Sequence, residues 1–557
     1  MAAQRWLSMN KRIVILLIIT IIAVLLRFWQ LGQVPPSPDW DEAALGYNAY
    51  SILETGRDEY GTLLPVILRS FDDYKPGLYG YLTVPSIWLF DLNVWAVRLP
   101  SALIGSLTVV MSYFLVIELF RLGGGQKQRK LAYLTAFLLA ISPWHLQFSR
   151  IAFESNVGLA FNIFALWAFL VGLRKQMFLF ISAIFFSLSL YVYQSEKVFV
   201  PMLLLVLLIV FFEKLWNLKG KVALVIGVFL ISSAPFIYAT FSNSDALLRA
   251  KGVSVFADQT PFLEKTIERL IRDKEAGDYL GLILDNRRVK YSMEFIKGYL
   301  SHFDLNWLFI AGDQPRHQPP GFGHLYLSEL PFMLAGIYSL LFGNCSRKTK
   351  KLIFAWFLIT PLPAAFTTGV PHPIRTLNFL PLFQLFTAMG MLSAYYWVSG
   401  FKRRLRYTVF VVFSVLFAFN FLYYLNQYFV QQNYFLSQVW QYGYKEVVVA
   451  VEEVQDKYST IVVTNKPHLD QSYIFLLFYT KYDPEKYQAA GGTVTGGFAE
   501  THGGFGKYNF RPINWSEETK DGNTLYVGRP EDFPGSAKVL KEIKFLDGTP
   551  AIKIVEG

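Results

Sequence analysis

Apolar runs of about 15 to 25 residues alternate with short polar connections over most of this chain, a pattern that predicts repeated membrane-crossing helices. The first run, Ile13–Leu26, follows Arg5, Lys11 and Arg12 and ends in Arg27-Phe28-Trp29. No small-residue cleavage site follows it, so it reads as an uncleaved first span with a cytoplasmic N-terminus. Gly77–Phe90 is apolar but short and contains Pro85, which predicts an interfacial or re-entrant helix. With that choice, further spans fall near 97–120, 131–148, 155–173, 177–193, 197–212 and 222–241, and then near 325–343, 352–369, 375–397 and 407–428. The connections 121–130, 174–175, 213–221, 347–351 and 402–406 are net basic and are expected inside. The sum is about eleven crossings.

From about Asn433 the pattern changes. Tyr444–Lys457 has helical periodicity, Tyr473–Tyr482 is an apolar helix, and Thr460–Thr464, Thr524–Val527, Val539–Phe545 and Ala551–Val555 read as strands. The expected fold class is a polytopic α-helical membrane protein with a small extracytoplasmic α/β C-terminal domain. Residues 1–432 would form the membrane unit, with outer loops at 32–96 and 242–324, and 433–557 the soluble one.

Composition agrees. Of 557 residues, 53% are hydrophobic and 17% aromatic, more apolar surface than one soluble domain can bury. The net charge of +11 sits in short clusters between apolar runs, so it is assigned to topology and not to nucleic acid. The single cysteine, Cys345, excludes an intrachain disulfide and a cysteine-rich metal site. The glycines at 491–506 do not form a dinucleotide fingerprint. His317 and His324 flank a Pro/Gly-rich segment that reads as a mobile loop.

The chemistry-bearing residues gather on the outer side of this topology. They are Asp41-Glu42, Asp73-Tyr74-Lys75, Arg150 and Glu154 at the mouth of one span, His372 and Arg375 at another, and Glu196-Lys197 at a third. Charges at the lip of an apolar span must pair, snorkel or line a wet cavity. Several lips facing one compartment favour a shared cavity over separate interfacial ion pairs. Such a cavity suits sugar transfer from a lipid-linked phosphate: cations (Lys75, Arg375 and Arg150) hold the leaving phosphate. A carboxylate, Asp41 with Glu42 orienting it or sharing the task, takes the proton of the attacking hydroxyl or amine. One attack opposite the phosphate inverts the anomeric carbon. Asp73, Tyr74, His372, Glu196 and Lys197 complete the candidates for sugar or acceptor contact. No resident cofactor is required, although Asp41 and Glu154 could also bind Mg²⁺ or Mn²⁺.

The motifs W-D-E-A, G-Y-N-A-Y-S-I, D-Y-K-P-G-L-Y and A-V-R-L-P-S-A (Ala96–Ala102) resemble the bacterial dolichyl-phosphate-mannose protein mannosyltransferase-like family of the GT-C superfamily, which is similar to the lipid A aminoarabinose transferases. Ile141–Arg150, Tyr193–Pro201 and Pro371–Pro381 match its later blocks, so the resemblance covers roughly 13–400. It implies a GT-C-like fold and a polyprenyl-phosphate-linked sugar donor. The acceptor would be protein, lipid or glycan, and the location a bacterial plasma membrane. It also implies Asp41 as the catalytic carboxylate, Lys75 on the donor phosphate, and Glu154 facing the sugar or acceptor. Relatives of the aminoarabinose type carry aspartate at the last position and two prolines after the lysine; this chain has Glu154 and Pro76-Gly77. Sugar specificity is therefore not implied. Two other classes compete: a flippase or transporter of lipid-linked sugars, which predicts ionisable residues deep inside spans, and a non-catalytic scaffold whose tail binds cell-wall partners.

Overall fold

The structure, a computed structural model, describes residues 2–71, 73–121, 126–242, 260–493 and 502–557. The first unit opens with α1 (Ala2–Phe28) and α2 (Trp40–Thr55), followed by the hairpin β1 (Ile67–Ser70) and β2 (Asp73–Pro76). Next come α3 (Leu78–Phe90), α4 (Val94–Leu119), α5 (Gln126–Ile141) and α6 (Pro143–Ser149). α7 (Ser155–Gly172), α8 (Met177–Leu190), α9 (Glu196–Trp216) and α10 (Lys219–Ser242) complete the first half. The long loop carries α11 (Thr260–Glu275), α12 (Tyr279–Leu284) and α13 (Arg287–Ser301). Beyond it lie α14 (Leu330–Phe342), α15 (Arg347–Ile359), α16 (Leu362–Ala365), α17 (Leu382–Val398), α18 (Arg403–Asn426) and α19 (Gln432–Leu436).

Six helical stretches among the described residues are long and apolar enough to cross a membrane, or seven if a bent pair counts as one span. About eleven were expected, and the differences have local causes. The span at 131–148 breaks into α5 and α6, bent by 58°, where Ser142 caps a new helix that starts at Pro143. The run at 352–369 is not one helix: α15 ends at Ile359, ahead of Pro361 and Pro363. α8 and the stretch Leu327–Phe342 are apolar but short. α3 spans 13 residues with Pro85 inside, close to the short helix expected there.

The last part of the chain holds α20 (Tyr444–Glu452), β3 (Thr460–Val463), α21 (Ser472–Thr480), α22 (Pro484–Ala489), β4 (His502–Phe505), β5 (Tyr508–Phe510), β6 (Thr524–Gly528), β7 (Lys538–Lys544) and β8 (Pro550–Glu556). The strands form one mixed sheet ordered β4-β5-β3-β6-β8-β7, with β3 parallel to both β5 and β6. The strands expected near 460, 524, 539 and 551 are present; β4 and β5, in and after the glycine-rich stretch, were not expected, and 494–501 lies outside the described residues. This sheet packs on the first unit through a shared core in which Ala43, Tyr47 and Ile52 of α2 join Tyr473, Phe475 and Phe478. At Gly46 a Cβ would stand 2.6 Å from the Phe478 ring and 2.7 Å from Val97, so α2 approaches both neighbours by its bare backbone.

Candidate active site

Helix α2 is fixed at both ends. Asp39 and Glu42 form a reciprocal capping box at its start, and Gly56, in a left-handed conformation, closes it. Glu42 is also held bidentately by Arg98 of α4 (Nε 2.9 Å, Nη2 2.8 Å) and accepts from the Ala152 N–H at 2.8 Å. Arg98 spends its other donors on the carbonyls of Leu31, Pro35 and Ser37. Glu42 is therefore a buried anchor joining α2, α4 and the α6–α7 link. Expected beside Asp41, it turns away from the cavity because every lone pair has a fixed donor.

Asp41 itself lines a cavity of about 150 Å³. It is ion-paired with Lys75, which β2 delivers from the hairpin. Phe153 and Glu154 just ahead of α7, Tyr193 and Gln194 ahead of α9, and His372 and Ile374 also line it. The loop before Phe322 supplies Gln314, Arg316 and His317. Residues 41 and 372, more than three hundred positions apart in the chain, thus share one wet space. Gln194 locks the hairpin to this space by donating to the Tyr74 carbonyl at 2.6 Å.

Burial governs the electrostatics. It lifts the Glu154 carboxyl to about 7, with Lys75 opposing and Asp41 assisting. Burial likewise lifts Asp39 to about 7, Asp41 adding to the rise and Arg316 resisting it. Burial alone would lower Lys75, yet the net shift is upward because Asp41 and Glu154 face it, so its ammonium is secure. Arg316 bridges Asp39 at 3.2 Å and stacks on Trp40 at 4.0 Å from the ring centre. It is a preformed cation at the cavity that the sequence reading missed.

Other expected residues lie elsewhere. Arg150 is not a cavity cation: its guanidinium donates to the carbonyls of Leu26, Arg27 and Val34 and to the Tyr428 hydroxyl. The chain leaves helical geometry between α6 and α7, so Arg150 and Glu154, expected together at the mouth of one span, do not share a helical face. Glu196 does not pair with Lys197 or line the cavity; it accepts from Asn162 (2.6 Å) and Asn378 (2.8 Å) in a buried network joining α7, α9 and the 372–378 segment. Lys197 rests over the Phe236 ring instead. Arg375 stands outside the cavity lining, its guanidinium on the Thr367 hydroxyl and the Thr368 carbonyl. Its charge is nonetheless felt at Tyr193 and His317. The Asp73 side chain lies outside the described residues.

Asp41 and Glu154 fit a divalent ion poorly. Lys75 is already ion-paired with Asp41 and faces Glu154, and the described residues hold no group of three or more His, Cys, Asp or Glu arranged to take a metal. The spacing D-x-x-x-H at Asp313 and His317 is the sequence signal that marks the loop residues, within a stretch whose prolines and glycines read as a mobile loop.

Residues 74–238 match the family model described as dolichyl-phosphate-mannose-protein mannosyltransferase. This bears out the family resemblance and takes in the Y-K-P-G-L-Y and A-V-R-L-P-S-A motifs, whereas the W-D-E-A and G-Y-N-A-Y-S-I motifs precede the matched residues; the class the model names is a glycosyltransferase. A comparison with curated protein sequences gives no match. Among solved structures, the chain resembles ArnT from Cupriavidus metallidurans bound to undecaprenyl phosphate, with 12% identity, a TM-score of 0.53, and coverage of 99% of this chain and 98% of that one. The apo form of the same protein gives 13% identity, a TM-score of 0.52, and coverage of 100% and 98%. The oligosaccharyltransferase AglB from Archaeoglobus fulgidus, in complex with an inhibitory peptide and a dolichol-phosphate, gives 13% identity and a TM-score of 0.50. That match covers 85% of this chain and 64% of the oligosaccharyltransferase, so the chain spans less than two thirds of that relative. At these identities the likeness is one of fold: a polytopic helical membrane protein with a C-terminal sheet domain, like ArnT.

Proposed function

We propose that this chain is an inverting glycosyltransferase that moves a sugar from a polyprenyl-phosphate donor to a protein, lipid or glycan acceptor on the outer face of a bacterial plasma membrane. The observation that carries this reading is the Asp41–Lys75 ion pair in a cavity that also holds Glu154 and His372. The likeness to structures described with undecaprenyl phosphate and dolichol-phosphate supports the donor class.

In this reading the donor phosphate displaces Asp41 from Lys75 and takes the ammonium as its counter-ion, with Arg316 as a second cation and Arg375 behind it. Asp41, released toward the sugar, accepts a hydrogen bond from the attacking hydroxyl or amine. Glu154, near half-protonation at neutral pH, can donate to or accept from the sugar hydroxyls. The acceptor attacks the anomeric carbon opposite the phosphate. A new bond to the acceptor forms as its proton passes to a base of the cavity, the carbon–oxygen bond to phosphate breaks, and the polyprenyl phosphate leaves with the electron pair. One displacement inverts the centre and needs no covalent enzyme intermediate.

The test is transfer by purified protein in lipid, with polyprenyl-phosphate hexoses and a panel of acceptors, for wild type, Asp41→Asn and Lys75→Ala. The reading expects transfer by wild type and its loss in both variants. Undiminished transfer in both overturns the site. Lipid scrambling by wild type with no transfer from any donor overturns the reaction in favour of a flippase.

A further inference from the structure

His317 sits in the cavity in the arrangement of an oriented base. Its Nδ1 is 2.6 Å from the Asp313 carboxylate, four residues earlier in the chain. Asp313 is itself braced: its N–H donates to the Gln318 Oε1 at 2.9 Å, and its carbonyl accepts from the Gln318 Nε2 at 2.7 Å. The turn is closed tightly at Gly312, which has a left-handed φ of +65° and where a Cβ would stand 2.6 Å from the Gln318 side chain. The imidazole is 5% exposed and flanked by the rings of Phe148 (6.0 Å) and His372 (5.3 Å). A carboxylate on Nδ1 fixes the tautomer with hydrogen there, which leaves Nε2 as a lone-pair acceptor for the cavity that His317 lines.

We infer that His317, oriented by Asp313, is the base that receives the proton of the attacking acceptor group. The inference rests on the glycosyl-transfer reading and assigns one step within it. The acceptor's O–H or N–H gives its proton to Nε2 as its bond to the anomeric carbon forms. The phosphate departs with the electrons of the broken bond, and the imidazolium, stabilised by Asp313, returns the proton to solvent after release. A carboxylate–imidazole pair suits this task, and it leaves Asp41, released from Lys75 by the donor phosphate, to orient the attacking group by a hydrogen bond. Burial is the largest influence on the imidazole and opposes its protonation; Asp313 favours it, Arg316 and Arg375 oppose it, and His372 and His324 are the other titratable rings beside it. His317 therefore rests neutral, the state a base requires.

The experiment compares wild type, His317→Gln, His317→Ala and Asp313→Asn in the lipid-reconstituted transfer assay. It reads kcat, the donor KM, the pH–rate profile and polyprenyl-phosphate binding. The expected result is a fall in kcat on the order of 10²- to 10⁴-fold for both His317 variants, with donor KM and phosphate binding within about threefold of wild type. The acidic limb of the wild-type profile should vanish in His317→Gln, and added imidazole should restore part of the rate to His317→Ala. Asp313→Asn should fall by at least about tenfold. Intact phosphate binding shows that a variant has folded; a variant that loses it is replaced by His317→Asn under the same criteria. His317→Gln within threefold of wild type across pH, or a low rate with the acidic limb intact and no response to imidazole, overturns the assignment. If wild type transfers and Asp41→Asn does not, that result leaves the glycosyltransferase reading standing; a wild type that transfers nothing takes both down.

Discussion

Replacing Glu42 by Gln separates an anchor from a catalytic acid, because Glu42 and Asp41 are neighbours with opposite surroundings. Four donors converge on the Glu42 carboxylate: two from Arg98, the Ala152 N–H, and the Asp39 N–H at 3.3 Å. Gln keeps one acceptor oxygen and turns an NH₂ toward donors on the other side. About two charge-assisted bonds are lost at about 1.5–3 kcal/mol each, and the Arg98 guanidinium is left buried without its counter-charge. The expected destabilisation is about 3–5 kcal/mol, within the range for removing one partner of a buried pair. Arg98→Met should cost a similar amount, since it strands the carboxylate and three carbonyls. The double variant should cost less than the sum, with a coupling of at least about 2 kcal/mol. Unfolding in detergent, followed by denaturant titration, measures the cycle; transfer per folded molecule is measured alongside and should stay within about tenfold of wild type. Glu42→Gln that unfolds within about 0.5 kcal/mol of wild type while transfer falls a hundredfold or more would refute this reasoning and return Glu42 to the chemistry.

Lys75 and Arg150 should part company in the same way. Lys75→Ala should weaken polyprenyl-phosphate binding and cut transfer on the order of 10²–10³-fold without lowering stability much, whereas Arg150→Met should lower stability and leave binding per folded molecule unchanged; lipid-phosphate titration by fluorescence checks both. Glu154 makes a pH prediction. Burial raises its carboxyl from 4.5 to about 7, so its favourable contribution is fully present below about 4.5 and is lost as pH rises through about 7. Melting temperature measured from pH 4.5 to 8 should therefore decline more steeply in wild type than in Glu154→Gln, and equal slopes would exclude the shift.

The architecture was legible where periodicity is long. The spans near 97–120, 155–173, 197–212 and 222–241 reappear as α4, α7, α9 and α10 because uninterrupted apolar runs leave the backbone only helix. It was less legible where a proline or a short cap redirects the chain, as at Ser142-Pro143 and Pro361–Pro363, since hydropathy does not register a bend. For the site, residue type and compartment could be read, but not partners. Asp41, Lys75, Glu154 and His372 line one cavity, whereas Glu42, Arg150 and Glu196 are equally charged, equally near span ends and turned elsewhere.

Among the cations, what separates those that face the cavity from those turned elsewhere is the kind of partner each has. Arg98 and Arg150 are held largely by main-chain carbonyls, and an arriving phosphate could take them only by leaving those carbonyls buried and unpaired, at about 1–3 kcal/mol each. Lys75 is held by a side-chain carboxylate, and Arg316 by another and by the face of Trp40. A phosphate can replace Asp41 on Lys75 with a better-matched anion, and the displaced Asp41 stays in the cavity it lines, where it can bond the incoming group, while Asp39, buried in the cap of α2, holds Arg316 at the same cavity. A cation whose side-chain partner can yield to an anion in the cavity, as Lys75's can, is available for binding, and a cation clasped by backbone is not. The sequence records the charge in both cases and the clasp in neither, because the carbonyls that close on Arg98 and Arg150 come from the end of α1 and the turn after it, 61 to 124 residues away.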